Sequence, residues 1–160
     1  MDSDDESCAA VTSSKLNDIE IRFSSNIAYL DLVQDIADNV SKLIGFDADA
    51  QYWIALSVRE VVTNAIQHGN KEDPEKSVCL TFHIRSDRLI ISVKDEGVGL
   101  TEDQIPDPLD PQNLLKPGGR GIFFVRSFMD SVTFNILEEG GCEILMEKLI
   151  SKNKGEENED

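Results

Sequence analysis

A chain of 160 residues can bury the core of one domain, while its net charge of −16 opposes direct binding to nucleic acid or to anionic lipid. No stretch approaches the roughly 18 apolar residues of a membrane span, and the N-terminus lacks the basic flank and apolar run of an export signal. The expected location is therefore the cytoplasm, with neither membrane nor nucleic acid as a direct partner.

The acidic segments at the two ends of the chain indicate the boundaries of the domain. Clustered acidic and polar residues predict solvated tails over residues 1–16 and 151–160, around a single domain at 17–150. Ile19, Ile21 and Phe23 alternate with polar residues, which predicts a first strand. Apolar stripes then predict two helices, over about 27–44 and 47–68.

The second half of the chain is richer in strands. Alternating apolar residues predict a hairpin over 78–93, and a loop with four prolines runs from 97 to 119 before a helix at 121–129. Two more strands, at 132–136 and 143–149, flank a Gly-Gly turn. This order predicts an α/β sandwich (α+β), a mostly antiparallel or mixed sheet with helices packed on one face.

Polar residues on the second predicted helix are the first candidates for chemistry. Glu60, Asn64 and His68 are spaced by four along the margin of the apolar face, so they can face a pocket together. Asn64 offers Mg²⁺ a neutral oxygen ligand, and Glu60 can accept a proton from an attacking hydroxyl. An ordinary amphipathic helix with polar edge residues fits this pattern equally well. His68 is expected to be structural.

The turn after the second strand of the hairpin is the second candidate. Alternation of Leu89, Ile91 and Val93 points Asp95 toward the packed side, where a carboxylate needs hydrogen-bond donors. Gly97 and Gly99 follow, and glycines allow a flat ligand to approach the backbone closely. The amino group of adenine is such a donor, although a strand-ending aspartate in a glycine turn gives the same short pattern.

A glycine-rich helix start is the third candidate. Gly118, Gly119, Arg120 and Gly121 open the predicted helix at 121–129, where backbone N–H groups attract phosphate. Arg120 can add a forked, charge-assisted contact. A flexible hinge before a helix would look similar, but the three candidates together, in this order, indicate an ATP site.

This combination resembles the GHKL ATPase superfamily, and its details resemble the anti-sigma factor serine/threonine kinases of the RsbW and SpoIIAB type. The resemblance rests on EVVTNAIQHGN at 60–70, DEGVGL at 95–100 and PGGRGIFFVRSFMD at 117–130, and it runs from about residue 17 to 148. It implies a Bergerat ATP-binding fold in which residues 100–118 form a lid over the nucleotide.

The resemblance also implies roles for single residues. Asn64 would bind Mg²⁺, Asp95 would bind the adenine amine, and Glu60 would be the general base. The nucleotide would be surrounded by the residues Gly97, Gly99, Gly119 and Gly121, with Arg120 and Lys116 adding positive charge. Family members commonly carry threonine where this chain has Cys142, which puts a water-bridged adenine contact in doubt; Cys142 is expected to be a buried structural cysteine.

The implied protein substrate is a STAS-type anti-sigma factor antagonist, the implied second partner is a sigma factor, and a homodimer is possible. An alternative from another class is an ATP-gated protein-binding module without kinase activity. The catalytic part of a histidine kinase is a weaker alternative, because these 160 residues include no preceding helix pair with a phosphorylatable histidine.

Overall fold

The computed structural model describes residues 17–98 and 119–151, with Gly119 and Arg120 described by their backbone alone. The predicted tails, apart from residue 151, and the whole of the predicted lid therefore lie outside the described residues. Within the described ranges, no helix is long and apolar enough to span a bilayer. The helices are α1 (Leu30–Ile44), α2 (Ala48–Asn64) and α3 (Gly119–Phe128), and the strands are β1 (Asp18–Ser24), β2 (Ser77–Ile84), β3 (Arg88–Lys94), β4 (Ser131–Ile136) and β5 (Cys142–Leu149).

The five strands form one sheet in the order β1-β2-β3-β5-β4, and every neighbouring pair is antiparallel. Alternate residues of the central strands, such as Leu80, Ile91 and Met146, are fully buried and join one hydrophobic core with the apolar faces of the helices. Val33 of α1 and Val58 of α2 belong to the same core. The predicted α/β sandwich is confirmed, with an entirely antiparallel sheet among these strands.

Local side-chain chemistry sets the boundaries of the first two helices. Asn26 caps a single 3-10 turn (Ile27–Tyr29) by accepting a hydrogen bond from Ala28 N at 2.9 Å, and α1 follows. The first predicted helix therefore begins with a tighter turn, which is common at helix starts. Gly45, at a φ of 100°, ends α1, and the carboxylate of Asp47 caps α2.

The end of the second predicted helix differs from the sequence pattern. The α-helical hydrogen bonds stop at Asn64, and the chain continues through one π-helical turn, Ala65–Gly69. In this wider turn Asn70 N donates to Ala65 O at 2.8 Å. Periodicity places the apolar residues of this segment correctly but does not reveal the widening, because the π turn is the last turn and no helical residues follow it to show a shifted pattern. The π turn sets the direction in which the chain leaves the helix.

Candidate active site

Glu60 lies in the last two turns of α2, facing the first turn of α3. Its side chain is half-buried, and burial raises the pKa of its carboxyl group above the ordinary value, while His68 nearby opposes the shift. Gly121 packs directly against it: a Cβ atom added to Gly121 would overlap the Glu60 carboxylate. A desolvated carboxylate of raised pKa is a stronger proton acceptor than one in water, so the position suits a general base.

Asn64 follows Glu60 by one helical turn and is the last residue of α2. Its side chain is partly buried and makes no hydrogen bond to any other residue that the structure describes. Within the same ranges, no cluster of three or more His, Cys, Asp or Glu residues is arranged to hold a metal ion. The unengaged amide oxygen of Asn64 suits Mg²⁺, which takes one or two protein ligands and completes its shell with phosphate and water.

Asp95 stands directly after β3, with its carboxylate on the helix side of the sheet as alternation predicted. Its Oδ1 atom accepts hydrogen bonds from Gly97 N at 3.0 Å and from Cys142 N at 3.1 Å. Burial raises the pKa of Asp95, against the effect of these two donors and of Lys76. The Oδ2 atom has no hydrogen-bond donor among the described residues, so a half-buried acceptor is left for a ligand to satisfy.

Three glycines surround Asp95 and allow three chain segments to meet. A Cβ atom on Gly69 would overlap the Asp95 carboxylate, one on Gly97 would overlap Gly69 O, and one on Gly141 would overlap Asp95 O. Three segments are therefore in close backbone contact: the π turn, the turn after β3, and the turn between β4 and β5. Gly97 was predicted as a site residue. Periodicity marks Gly69 as the residue after the second predicted helix and Gly141 as part of the Gly-Gly turn, but it does not reveal a glycine's close contacts.

Asn70 is a residue that sequence reasoning missed. It is fully buried, and its Nδ2 atom donates to Ser25 Oγ at 2.6 Å and to Ser77 O at 2.9 Å. Its Oδ1 atom accepts a hydrogen bond from Glu96 N at 2.8 Å. Asn70 thereby holds the turn that carries Asp95 against the end of β1 and the start of β2. An asparagine after glycine at a helix end is typical of a turn, and nothing in the pattern indicates a buried amide.

Several predicted site residues fall beyond what the structure describes. Gly99 and Lys116 lie outside the described ranges, as does the whole of the predicted lid. Gly119 and Arg120 begin α3, but only their backbone is described. Glu60, Asn64, Asp95, Gly97 and Gly121 are therefore the predicted positions whose surroundings can be given.

Cys142 touches Asp95 through its backbone. The hydrogen bond to Asp95 comes from the main-chain N–H, which any residue except proline would supply. Burial, and then the charge of Asp95, raise the pKa of the Cys142 thiol, which keeps it protonated. The residue is half-buried. Replacing threonine by cysteine therefore leaves this main-chain contact to Asp95 in place.

Two residues beyond the predicted site make notable side-chain contacts. The ring of Trp53 stacks on that of Phe128 with centroids 3.6 Å apart. The side chain of His83 is 30% exposed, and its Nδ1 atom lies 3.0 Å from the carboxylate of Asp18. The antiparallel pairing of β1 with β2 places these two residues opposite each other.

Comparison with known proteins identifies the family of this chain. Residues 23–148 match the family described as histidine kinase-like ATPase domain. The serine-protein kinase RsbW of Staphylococcus epidermidis is 32% identical over 143 residues, which is 85% of this chain and 89% of that protein. RsbW of Bacillus subtilis (strain 168) is 28% identical over 139 residues, covering 83% and 86% of the two chains.

A solved structure, the catalytic domain of the histidine kinase ThkA, matches 82% of this chain and 97% of that chain with a TM-score of 0.47 and 14% identity. The chain belongs to the histidine kinase-like ATPase domain family, and within it to the serine-protein kinases of the RsbW type. The GHKL resemblance is thus confirmed.

Proposed function

We propose that this protein transfers the γ-phosphoryl group of ATP to a serine or threonine of a STAS-type anti-sigma factor antagonist, and that it also binds a sigma factor. The observation that carries the kinase proposal is the position of Glu60: half-buried, of raised pKa and one helical turn from Asn64. The names of the RsbW relatives support the same class of reaction. A cytoplasmic location and a homodimeric state stay predictions.

The surroundings of Asp95 support its role as the nucleotide contact. The open Oδ2 acceptor suits the 6-amino group of adenine, and the backbone-to-backbone packing at Gly69, Gly97 and Gly141 leaves that edge without side chains. Asn64 would hold Mg²⁺, which neutralises charge on the transferring phosphate when it is bound. The glycine-rich start of α3, with Arg120, would supply N–H donors and positive charge near the phosphates.

Glu60 would carry the proton transfer. Its carboxylate takes the proton of the acceptor hydroxyl while the hydroxyl oxygen forms a bond to the γ-phosphorus; the bond to the β,γ-bridging oxygen breaks, and ADP leaves with those electrons. The raised pKa of Glu60 favours this direction of transfer. The packing of Gly121 against the carboxylate fixes where the proton is received.

The experiment incubates the protein with Mg²⁺, γ-labelled ATP and each STAS-type protein encoded in the same genome. We expect label on a serine or threonine of one of them. Glu60→Gln keeps the shape of the side chain but removes the base, so labelling should fall by about 10²–10⁴-fold. Glu20→Gln, an exposed site on β1, is the matched control and should label at the parent rate.

Nucleotide binding is measured separately by thermal unfolding. Mg·ATP at about 100 times Kd should add roughly 2.7 kcal/mol to the unfolding free energy of both the parent and Glu60→Gln. A complex with the acceptor protein that forms only with ATP and never becomes labelled would favour the ATP-gated binding module. If Glu60→Gln labels at the parent rate, the base is another group.

A further inference from the structure

An apolar pocket of about 110 Å³ lies between α2 and α3, and Glu60 forms part of its wall. The other walls are mostly aromatic and aliphatic, from Trp53, Leu56, Phe124 and Phe128. No nucleotide-binding role uses these residues. The pocket therefore borders the candidate ATP site at Glu60 and Gly121, but its aromatic wall has no assigned role in that site.

The aromatic wall is ordered by stacking but still open to solvent. Trp53 and Phe128 stack with an angle of 5° between their rings, and Phe124 lies parallel to Phe128 at 6.5 Å. The Phe124 side chain nevertheless stays 53% exposed, and its neighbour Phe123 stays 42% exposed. Adjacent exposed phenylalanines on a protein surface mark an interaction site more often than chance, because their exposure costs free energy in the unbound protein.

The chemistry of the pocket restricts its occupant. Among the residues that the structure describes, Glu60 is the one ionisable residue in the pocket wall, so an acidic side chain would be repelled and any charged side chain would lose hydration. Its volume is below the ~150 Å³ of a cavity that admits benzene, which favours one branched aliphatic side chain over an aromatic one. The occupant is then a single aliphatic side chain.

The identity of the donor follows from Glu60. Because Glu60 lines the pocket, a segment that brings a hydroxyl to this carboxylate also lies beside the pocket. Alternate side chains of an extended segment lie on one side about 7 Å apart. Resting on the proposed function, we propose that the pocket receives an aliphatic side chain of the protein substrate, located within two residues of the phosphoacceptor serine or threonine. Phe124 and Leu56 are then residues that determine substrate specificity.

Filling the pocket also has a consequence for the base. An aliphatic side chain seated beside Glu60 removes further water from its carboxylate and strengthens it as a proton acceptor. The correct acceptor thereby activates the group that deprotonates it. An acceptor without the aliphatic residue would both bind more weakly and react more slowly.

The kinetic test compares Phe124→Ala, Phe124→Leu and Leu43→Ala with the parent, using the STAS-type protein that becomes labelled. Phe124→Ala should raise KM for this protein about tenfold, the order of effect of a lost apolar pocket contact, with the Kd for ATP unchanged. Phe124→Leu should restore most of the affinity. Leu43, 77% exposed on α1, is the control for loss of exposed apolar surface and should leave KM at the parent value.

A double-mutant cycle identifies the partner residue. Each aliphatic residue within two positions of the labelled serine or threonine is changed to Asn in turn. One of these changes should raise KM as Phe124→Ala does, and the two combined should cost no more than either alone. Any of three results would overturn the inference: Phe124→Ala leaves KM unchanged, the effects of the paired substitutions are fully additive at every position, or Phe124→Ala raises only the Kd for ATP.

Trp53 provides a readout that does not depend on phosphoryl transfer. It is the single tryptophan of the chain and lines the pocket, so its fluorescence should shift when a tryptophan-free STAS-type protein binds. If a STAS-type protein binds saturably with this shift, binds more weakly to Phe124→Ala and is never labelled, the docking inference is supported and the kinase proposal is refuted. If it is labelled but causes no shift in Trp53 fluorescence, and Phe124→Ala keeps the parent KM, only the docking inference is refuted. Neither binding nor label, across all STAS-type proteins of the genome, refutes both.

Discussion

Replacing Asn70 by alanine tests how the fold holds the Asp95 carboxylate, the proposed adenine contact, in place. The amide is fully buried and makes three hydrogen bonds, to Ser25 Oγ, to Ser77 O and from Glu96 N. Alanine leaves Ser77 O without this donor and Glu96 N without its acceptor. A buried polar group that loses its partner costs about 1–3 kcal/mol, so the two together should cost about 3 kcal/mol of unfolding free energy.

For a domain of this size, each kcal/mol lowers Tm by about 2–4 °C, which predicts a decrease of about 6–12 °C. The second consequence is specific to the site. Because Glu96 N anchors the turn between Asp95 and Gly97, its release should loosen the Asp95 carboxylate and weaken ATP binding about tenfold at a temperature where the variant is folded. The contact of the Glu96 carboxylate with Ser77 N at 2.6 Å remains and limits the loss.

The decisive measurement is the preference for ATP over GTP. Adenine presents an amino donor where guanine presents a carbonyl oxygen, so a well-placed Asp95 carboxylate discriminates between them. Asn70→Ala should reduce the ratio of the two Kd values several-fold. Ser41→Ala removes a buried hydroxyl that donates to Ala37 O at 2.7 Å on α1, remote from the turn, and serves as the control. If Asn70→Ala lowers Tm but keeps the parent ratio, Asn70 is a brace without influence on the site.

Three further predictions concern the carboxylates and the glycines. Burial raises the pKa of Asp95 in the folded state, so its charge destabilises the fold at pH values above that pKa, and stability is recovered as the pH falls. Asp95→Asn should therefore keep or raise Tm at pH 7. The same variant should lose the increase in Tm that ATP produces. A Cβ atom on Gly69 displaces the Asp95 carboxylate, so Gly69→Ala should abolish ATP binding in a titration. Gly45→Ala is the control: its φ of 100° strains an alanine, but there is open space around it, so this variant should lower Tm and leave the Kd for ATP unchanged. Phosphoryl transfer should fall at mildly acidic pH, with a midpoint above the ordinary glutamate pKa, as Glu60 gains a proton; a pH-independent rate would contradict its role.

Most of the secondary structure could be predicted from the sequence because it depends on periodicity along the chain. Alternation of apolar residues predicts each strand to within one or two residues, and it also predicts that Asp95 lies on the packed side, as the structure shows. Capping residues such as Asp47 and the stop at Gly45 act over one turn of helix, so their effects are equally local. The family could be recognised for the same reason, since its motifs are short runs of adjacent residues.

The remaining features depend on contacts between residues far apart in sequence. The insertion of β5 between β3 and β4 brings Cys142 N to Asp95, 47 residues away, and no local pattern specifies that order. Three features exist only when α2, α3 and the sheet are packed together. They are the burial of Asn70, the fit of Gly121 against Glu60, and the aromatic pocket beside Glu60.

The sequence by itself thus determined which residue types were available for ATP chemistry and on which elements they lie. Only the tertiary structure decided which of them are desolvated, because burial is a property of the packed whole. Desolvation raises the pKa values of Glu60 and Asp95. The packing also leaves Asp95 Oδ2 without a hydrogen-bond donor among the residues that the structure describes.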